Sequence, residues 1–278
     1  MIPYGRHKID QADIESVIDV LRSDWLTGGL SVNAFEQILE HEVQAKHAVA
    51  CSNGTTALHL AMLALDIGPG DTVLVPAITF LASANAARYV GADVVFVDID
   101  PNTGLMTADT LQSAILENKN KRLKAVVNVH LAGQCENLEK IQNVAKQHGL
   151  LIIEDAAHAI GTIYTSNEGK AHPIGANAFS DITIFSFHPV KTIAVGEGGA
   201  VTTNSAEIAE KLKCYRSHSM LRSADQWEEK ENIGPWYYEM HNLGYNYRLS
   251  DINCALGISQ LRKIQDFKKI RQDMANTY

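Results

Sequence analysis

A chain of 278 residues, 46% hydrophobic and 20% charged, holds enough apolar side chain for one large core, or one core and part of a second. Its 24 basic and 32 acidic side chains leave a formal charge of −8, spread without acidic or basic blocks, which argues against nucleic acid or an anionic membrane as a partner. The four cysteines, Cys51, Cys135, Cys214 and Cys254, form no CxxC pair, so neither a disulfide framework nor structural zinc is expected and a reduced, cytoplasmic protein fits. Arg6, Lys8 and Asp10 precede any apolar run, and the longest charge-free stretch, Thr72 to Ala87, is broken by Pro76. Neither a signal peptide nor a membrane span is predicted.

Asp10 can cap a first helix, whose apolar positions Ile14, Val17, Ile18 and Leu21 follow helical spacing. Leu26-Thr-Gly-Gly29 interrupts it, and Phe35, Ile38, Leu39 and Val43 mark a second. A short strand at Ala48–Cys51 runs into Ser52-Asn-Gly-Thr-Thr56 and an apolar helix, Ala57 to Leu65. Strands at Thr72–Pro76, Val94–Asp98, Ala125–His130 and Leu150–Glu154 then alternate with helices around Phe80–Tyr89, Ala108–Glu117 and Leu138–His148. Short apolar strands alternating with amphipathic helices predict an α/β fold with a mostly parallel sheet covered on both faces.

Ile182–Phe187, β-branched and aromatic without charge, reads as a buried strand that His188-Pro189 breaks. Gly199–Thr203 reads as a strand and Ala206–Tyr215 as a helix. Ser217–Asn242, with Trp227, Trp236, Tyr237 and Tyr238, looks like a surface excursion, its aromatics either a ligand or dimer contact or packing under a loop. Leu249-Ser-Asp251 opens a helical pattern expected to run to Tyr278, as though the chain were part of a longer one.

Three constellations fall where strands end, the place open α/β sheets hold ligands. Ser52-Asn-Gly-Thr-Thr56 offers backbone donors at a helix N-terminus, suited to phosphate, or is a simple capped turn. Glu154-Asp-Ala-Ala-His158 sets a carboxylate at a strand end, where Asp155 either projects into the crevice or caps a helix, and His158 is a site residue or a buried imidazole. Lys191 follows the buried strand that ends near Ser186, with Ser186 and His188 flanking Phe187. It is either a loop lysine reaching water or a desolvated amine able to form a Schiff base. A phosphate cradle, an anion and an amine in one sheet-end crevice match what pyridoxal phosphate requires. Gly196-Glu-Gly-Gly199 follows no strand–GxGxxG–helix unit and reads as a tight turn, while His130 and Cys135 lack further ligands at zinc spacing, so no metal is expected.

Ser-Asn-Gly-Thr-Thr-Ala-Leu-His59, Pro-Ala-Ile-Thr-Phe80, Glu-Asp-Ala-Ala-His158, Ser-Phe-His-Pro-Val-Lys191, Gly-Glu-Gly-Gly-Ala200 and Gly-Tyr-Asn-Tyr-Arg-Leu-Ser-Asp251 together resemble the sugar aminotransferases of the DegT/DnrJ/EryC1/StrS family. The resemblance implies the fold type I architecture of aspartate aminotransferase, with 1–249 as the cofactor-binding domain, 250–278 as the start of a long helix toward a small C-terminal domain, and a homodimer with shared active sites. By motif position, Lys191 would carry the cofactor, Asp155 would pair with its ring nitrogen, Phe80 would stack on the ring, and His158 would approach the ring hydroxyl. Gly54, Thr55, Thr56 and Ser186 would hold the phosphate, joined by Asn246 of the second subunit. Arg216-Ser-His218 together with the Ser-Phe-His-Pro-Val-Lys191 form is similar to the branch making 4-amino sugars for pseudaminic acid, which implies a UDP-linked 4-keto-6-deoxy-N-acetylhexosamine as amino acceptor, and the family resemblance implies L-glutamate as donor. Three rivals are weighed: a sugar 3-dehydratase would carry histidine at Lys191, a regulatory relative would lose Lys191 or Asp155, and a nicotinamide dehydrogenase would need the glycine fingerprint.

Overall fold

Local signals start the chain, and a computed structural model describes residues 5–228 and 234–277. Asp10 and Asp13 form a reciprocal capping box at the start of α1 (Gln11–Leu21). Helix α2 (Leu30–Val43) buries Phe35, Leu39 and Val43, as their spacing predicts, and adds Glu36. The alternation then unfolds as β1 (His47–Cys51), α3 (Gly54–Ala64), β2 (Asp71–Pro76), α4 (Leu81–Tyr89), β3 (Asp93–Val97), α5 (Ala108–Glu117), β4 (Arg122–Val129), α6 (Leu138–Gln147) and β5 (Leu151–Asp155). A small hairpin, β6 (Ile163–Thr165) with β7 (Ala171–Pro173), precedes β8 (Ile182–Ser186), β9 (Gly199–Thr203) and α7 (Ala206–Arg216). The excursion is pinned by the two-residue strands β10 (Met220–Leu221) and β11 (Glu239–Met240), and the chain continues into α8 (Asp251–Leu261) and α9 (Ile264–Ala275).

Seven strands form one sheet in the order β1-β9-β8-β5-β4-β2-β3. The strands from β8 to β3 are mutually parallel, and β9 runs antiparallel between β1 and β8. The expected mostly parallel sheet is therefore present. Alternation along β5 divides its side chains between two cores. Ile153 packs with α3, α4 and α7 through Leu58, Leu60, Ala86 and Leu212, while Ile152 faces the α5–α6 side with Leu111 and Ile141. Asp155 shares the parity of Ile153, so it emerges on the α3/α4 face. On the opposite face Asn128, Glu154, Thr183 and Thr202 stand in register across four strands, a buried polar row in which Thr183 donates to Glu154 at 3.2 Å. A third core, around Phe35, Phe185, Phe187 and Cys254, joins α2 and α8 to the same side.

The helical pattern expected to run unbroken from Leu249 to Tyr278 is two helices, and the second closes at Ala275. The break follows from charge. Lys263 leaves helical geometry (φ −105°, ψ 6°), and its ammonium lies 2.7 Å from Asp13 and 2.9 Å from Asp10. Gln260 also donates to Asp13, at 2.8 Å, so α1 is tied to the kink through one fully buried carboxylate. That tether turns Asp13 and Val20 inward and leaves Ile14 and Leu21 exposed, although all follow helical spacing.

The imidazole of His59 is buried among Tyr89, Tyr245 and Tyr247, with Nδ1 3.1 Å from the Tyr247 hydroxyl. Burial holds its pKa below the usual 6.5. Above about pH 6.5 the ring is neutral in both folded and unfolded chains. As pH falls through that value the unfolded chain takes the proton first, so stability is lost. Urea unfolding between pH 8 and 5 should therefore decline more steeply for the unsubstituted protein than for His59→Phe, by up to about 1.4 kcal/mol per pH unit. Parallel curves would remove His59 as the source.

Candidate active site

Strand β1 ends at Cys51, and Asn53 starts α3 by a reciprocal cap: its side chain accepts from Thr56 N–H at 2.9 Å, and Thr56 Oγ1 accepts from Asn53 N–H at 3.0 Å. That cap leaves the N–H groups of Gly54 and Thr55 without an acceptor among the described residues. They point out of a helix N-terminus that carries partial positive charge. Gly54 lies against Ser186 at the end of β8, where an added Cβ would fall 2.8 Å from the Ser186 Cβ. Gly54 and Ser186 thus meet at the head of α3, with Thr55 next in the chain. Thr56 stands beside them with its hydroxyl engaged by Asn53, donating to the Asn53 carbonyl at 2.7 Å.

Asp155 ends β5 and is 5% exposed. Its Oδ2 accepts from Ser83 Oγ at 2.7 Å and its Oδ1 from the Ala157 N–H at 3.2 Å. His158, one turn on, lies at the rim of the crevice. Its Nδ1 accepts the N–H of Ala132 at 3.2 Å, which places the proton of the neutral ring on Nε2. Ala132 supplies that N–H from a left-handed conformation, φ 55°, a cost that alanine tolerates only where the surroundings impose it. The His158 pKa is held below its usual value by burial and by the positive charges of Lys191 and Arg271, with Asp155 opposing.

Lys191 sits in the turn after β8, its N–H donating to the His188 carbonyl at 2.8 Å and its carbonyl accepting from Arg271 of α9 at 2.9 Å. Burial draws the ammonium below the ordinary lysine range, and Asp155 pulls the other way. Lys191 is half-buried, so it is not a loop lysine lying free in water. Phe80, at the head of α4, is 74% exposed, so it is not part of the core. Asn246 is exposed on a segment whose backbone bridges Ser217, and the next carbonyl, of Tyr247, accepts from Ser52 N–H at 2.8 Å. Asn246 itself makes no hydrogen bond to Gly54, Thr55 or Ser186 of its own chain among the described residues.

Sequence reasoning missed Ser83, Thr79, Ala132 and Arg271. The spacing of Thr79 and Ser83, four apart at a helix start, was a usable signal. Arg271 is 80 residues from Lys191, and nothing local announces their contact. Of the residues set aside, His130 Nε2 lies 3.4 Å from Glu154, and burial and Glu154 push the Cys135 thiol up to about 11. No group of three or more potential metal ligands occurs among the described residues. Gly196 adopts φ 87° in a turn before β9, as read from its sequence. Trp227 donates to the Leu221 carbonyl at 2.7 Å and meets Tyr237 edge-on, whereas Trp236 and Tyr238 are exposed. Residues 229–233 of the excursion lie outside the described residues. No helix among the described residues is long and apolar enough to cross a membrane.

A helix N-terminus with free donors, a buried carboxylate and a desolvated amine share the edge formed by the C-terminal ends of β1, β5 and β8. The model of the DegT/DnrJ/EryC1/StrS aminotransferase family matches residues 7–278. The chain belongs to this family. It is 40% identical over 277 residues to the spore coat polysaccharide biosynthesis protein SpsC of Bacillus subtilis, covering 100% of this chain and 68% of that one. It is 39% identical over 278 residues to the UDP-4-amino-4,6-dideoxy-N-acetyl-beta-L-altrosamine transaminase of Campylobacter jejuni, covering 100% and 69%. Among solved structures, the PLP form of the putative sugar aminotransferase Spr1654 from Streptococcus pneumoniae superposes with a TM-score of 0.86 at 30% identity, over 99% of this chain and 70% of that one. The protein is a sugar aminotransferase of the DegT family, and its cofactor is pyridoxal phosphate. The site fits that group: unpaired N–H donors for a dianion, a carboxylate for a ring nitrogen, and an amine for an aldehyde.

Proposed function

We propose that this aminotransferase moves an amino group from L-glutamate to the C4 ketone of a UDP-linked 4-keto-6-deoxy-N-acetylhexosamine. The observation that carries the chemistry is the half-buried Lys191 on the sheet edge where the buried Asp155 and the unpaired donors at the start of α3 also lie. Pyridoxal phosphate, when bound, supplies an electron sink for negative charge at the donor's α-carbon. Lys191 would hold that group through its amine and, when free, would be the base that takes up and returns a proton. Asp155 would accept the ring N–H and so favour the protonated nitrogen. His158 would offer Nε2–H to the ring hydroxyl, and Phe80 would receive the ring on its exposed face. Gly54 and Thr55 bind phosphate through backbone N–H groups, with Ser186 Oγ beside them and Thr56 holding the turn. Asn246 of a second copy of the chain would complete the phosphate site, a role its exposure allows. Exposed Trp25, Leu26 and Leu30 support association of two copies.

The sugar assignment rests on Arg216-Ser-His218, on the Ser-Phe-His-Pro-Val-Lys191 form and on the likeness to the Campylobacter jejuni transaminase. The test is direct. Protein incubated with pyridoxal phosphate should develop a visible band that fades with L-glutamate and, once the 2-oxo acid product is removed, returns with the 4-keto sugar nucleotide. Return of the band with a GDP-linked but not a UDP-linked 4-keto sugar would overturn the nucleotide. Loss of the band with other amino acids but not glutamate would overturn the donor.

A further inference from the structure

The third residue of α4, Ser83, is fully buried, yet its hydroxyl makes no bond to its own helix. Serine inside a helix commonly bonds back to the carbonyl four residues earlier. Here Oγ instead reaches Asp155 Oδ2, 72 residues away in sequence, at 2.7 Å, and Thr79 Oγ1 lies 2.7 Å from the same Ser83 Oγ. A hydroxyl has one proton. Because Ser83 gives its proton to the carboxylate, Thr79 must donate to Ser83, and the chain runs in one direction, Thr79 to Ser83 to Asp155. Hydrogen bonds to a carboxylate are stronger than neutral ones, and consecutive bonds of one direction polarise each other. The other oxygen of Asp155 is held by Ala157 N–H, so two elements, α4 and the turn after β5, fix the carboxylate's rotation. Phe80 lies between the two hydroxyl residues in sequence. The short segment that presents an aromatic ring to the crevice therefore also grips the carboxylate at its floor.

We propose that Thr79 and Ser83 are positioning residues that aim Asp155 at the ring nitrogen of the cofactor and couple its orientation to that of Phe80. This inference rests on the assigned cofactor role of Asp155. A carboxylate left free to turn away would hold the ring nitrogen's proton less firmly, and the positive charge that depresses the proton affinity of the Lys191 imine would weaken. Three variants, Ser83→Ala, Thr79→Val and the hydroxyl-retaining Thr79→Ser, separate positioning from packing. The first readout is equilibrium binding of pyridoxamine phosphate, which makes no covalent bond to Lys191. The second is the pH midpoint of the visible band formed with pyridoxal phosphate.

Ser83→Ala should bind pyridoxamine phosphate at least about tenfold more weakly and move the midpoint up by about half a pH unit or more. Thr79→Val should shift both in the same direction by less, and Thr79→Ser should restore both. A folded Ser83→Ala with unchanged affinity and midpoint overturns the proposal. If Ser83→Ala does not fold, Thr79→Val decides: no shift there overturns it as well. Absence of any visible band in the unsubstituted protein would instead reject the reading of Lys191, a result these variants cannot mimic.

Discussion

Lys191→Ala is expected to lower amino transfer by at least about 10³-fold while leaving the fold intact. On the proposed roles, two functions would leave with one side chain, the hold on the aldehyde and the carriage of the proton, and general acid–base work alone accounts for about 10²–10⁴-fold. The fold should survive because Lys191 is only half-buried, and its contacts to His188 and Arg271 run through the main chain, which alanine keeps. Pyridoxamine phosphate should still bind, since Gly54, Thr55, Ser186 and Asp155 are untouched. The measurement is single-turnover transfer, together with the visible spectrum and binding of pyridoxamine phosphate. Retained turnover at more than about a tenth of the original rate would mean that another amine does the work. Lost binding of pyridoxamine phosphate would mean that Lys191 is needed to build the site.

Gly199→Ala is expected to weaken cofactor binding by at least about tenfold and to cost about 1–3 kcal/mol of stability. Gly199 opens β9 in ordinary strand geometry, so conformational freedom is not the reason for glycine here. Contact is. An added Cβ would stand 2.4 Å from the Asn53 carbonyl oxygen, 2.5 Å from its carbon and 2.8 Å from the Gly54 nitrogen. All three are backbone atoms of the turn that starts α3, and none can rotate away. The turn must move, carrying the Gly54 and Thr55 donors with it, and displacements near 1 Å at a site cost about 10²-fold in function. Gly68→Ala provides the control, because its added Cβ would meet only the Val90 carbonyl, at 3.9 Å. Equal phosphate affinity in the two variants would show that the α3 turn adapts and that the cradle is not set by β9.

Helix α5 and strand β9 begin and end where the sequence placed them, because their signals are local: Thr107 caps one helix reciprocally with Thr110, and five residues without charge lie between Gly198 and Asn204. The same locality made the three loops of the site visible. Lys191, Asp155 and Gly54 each stand at a break between a buried run and a helix or turn, and the family motif tied them to one cofactor. What those residues touch was not legible. The bond from Ser83 to Asp155 depends on α4 lying over β5, and the bond from Arg271 to Lys191 depends on where the α8–α9 kink aims α9. That kink exists because Lys263 is drawn to Asp10 and Asp13, more than two hundred residues upstream, against a pattern that by itself continues as one helix. The sequence by itself determined the elements, their alternation and the chemistry of their ends, since capping and hydrophobic period act within a few residues. Strand order and register decided which ends meet, because those are settled only when distant elements share one core.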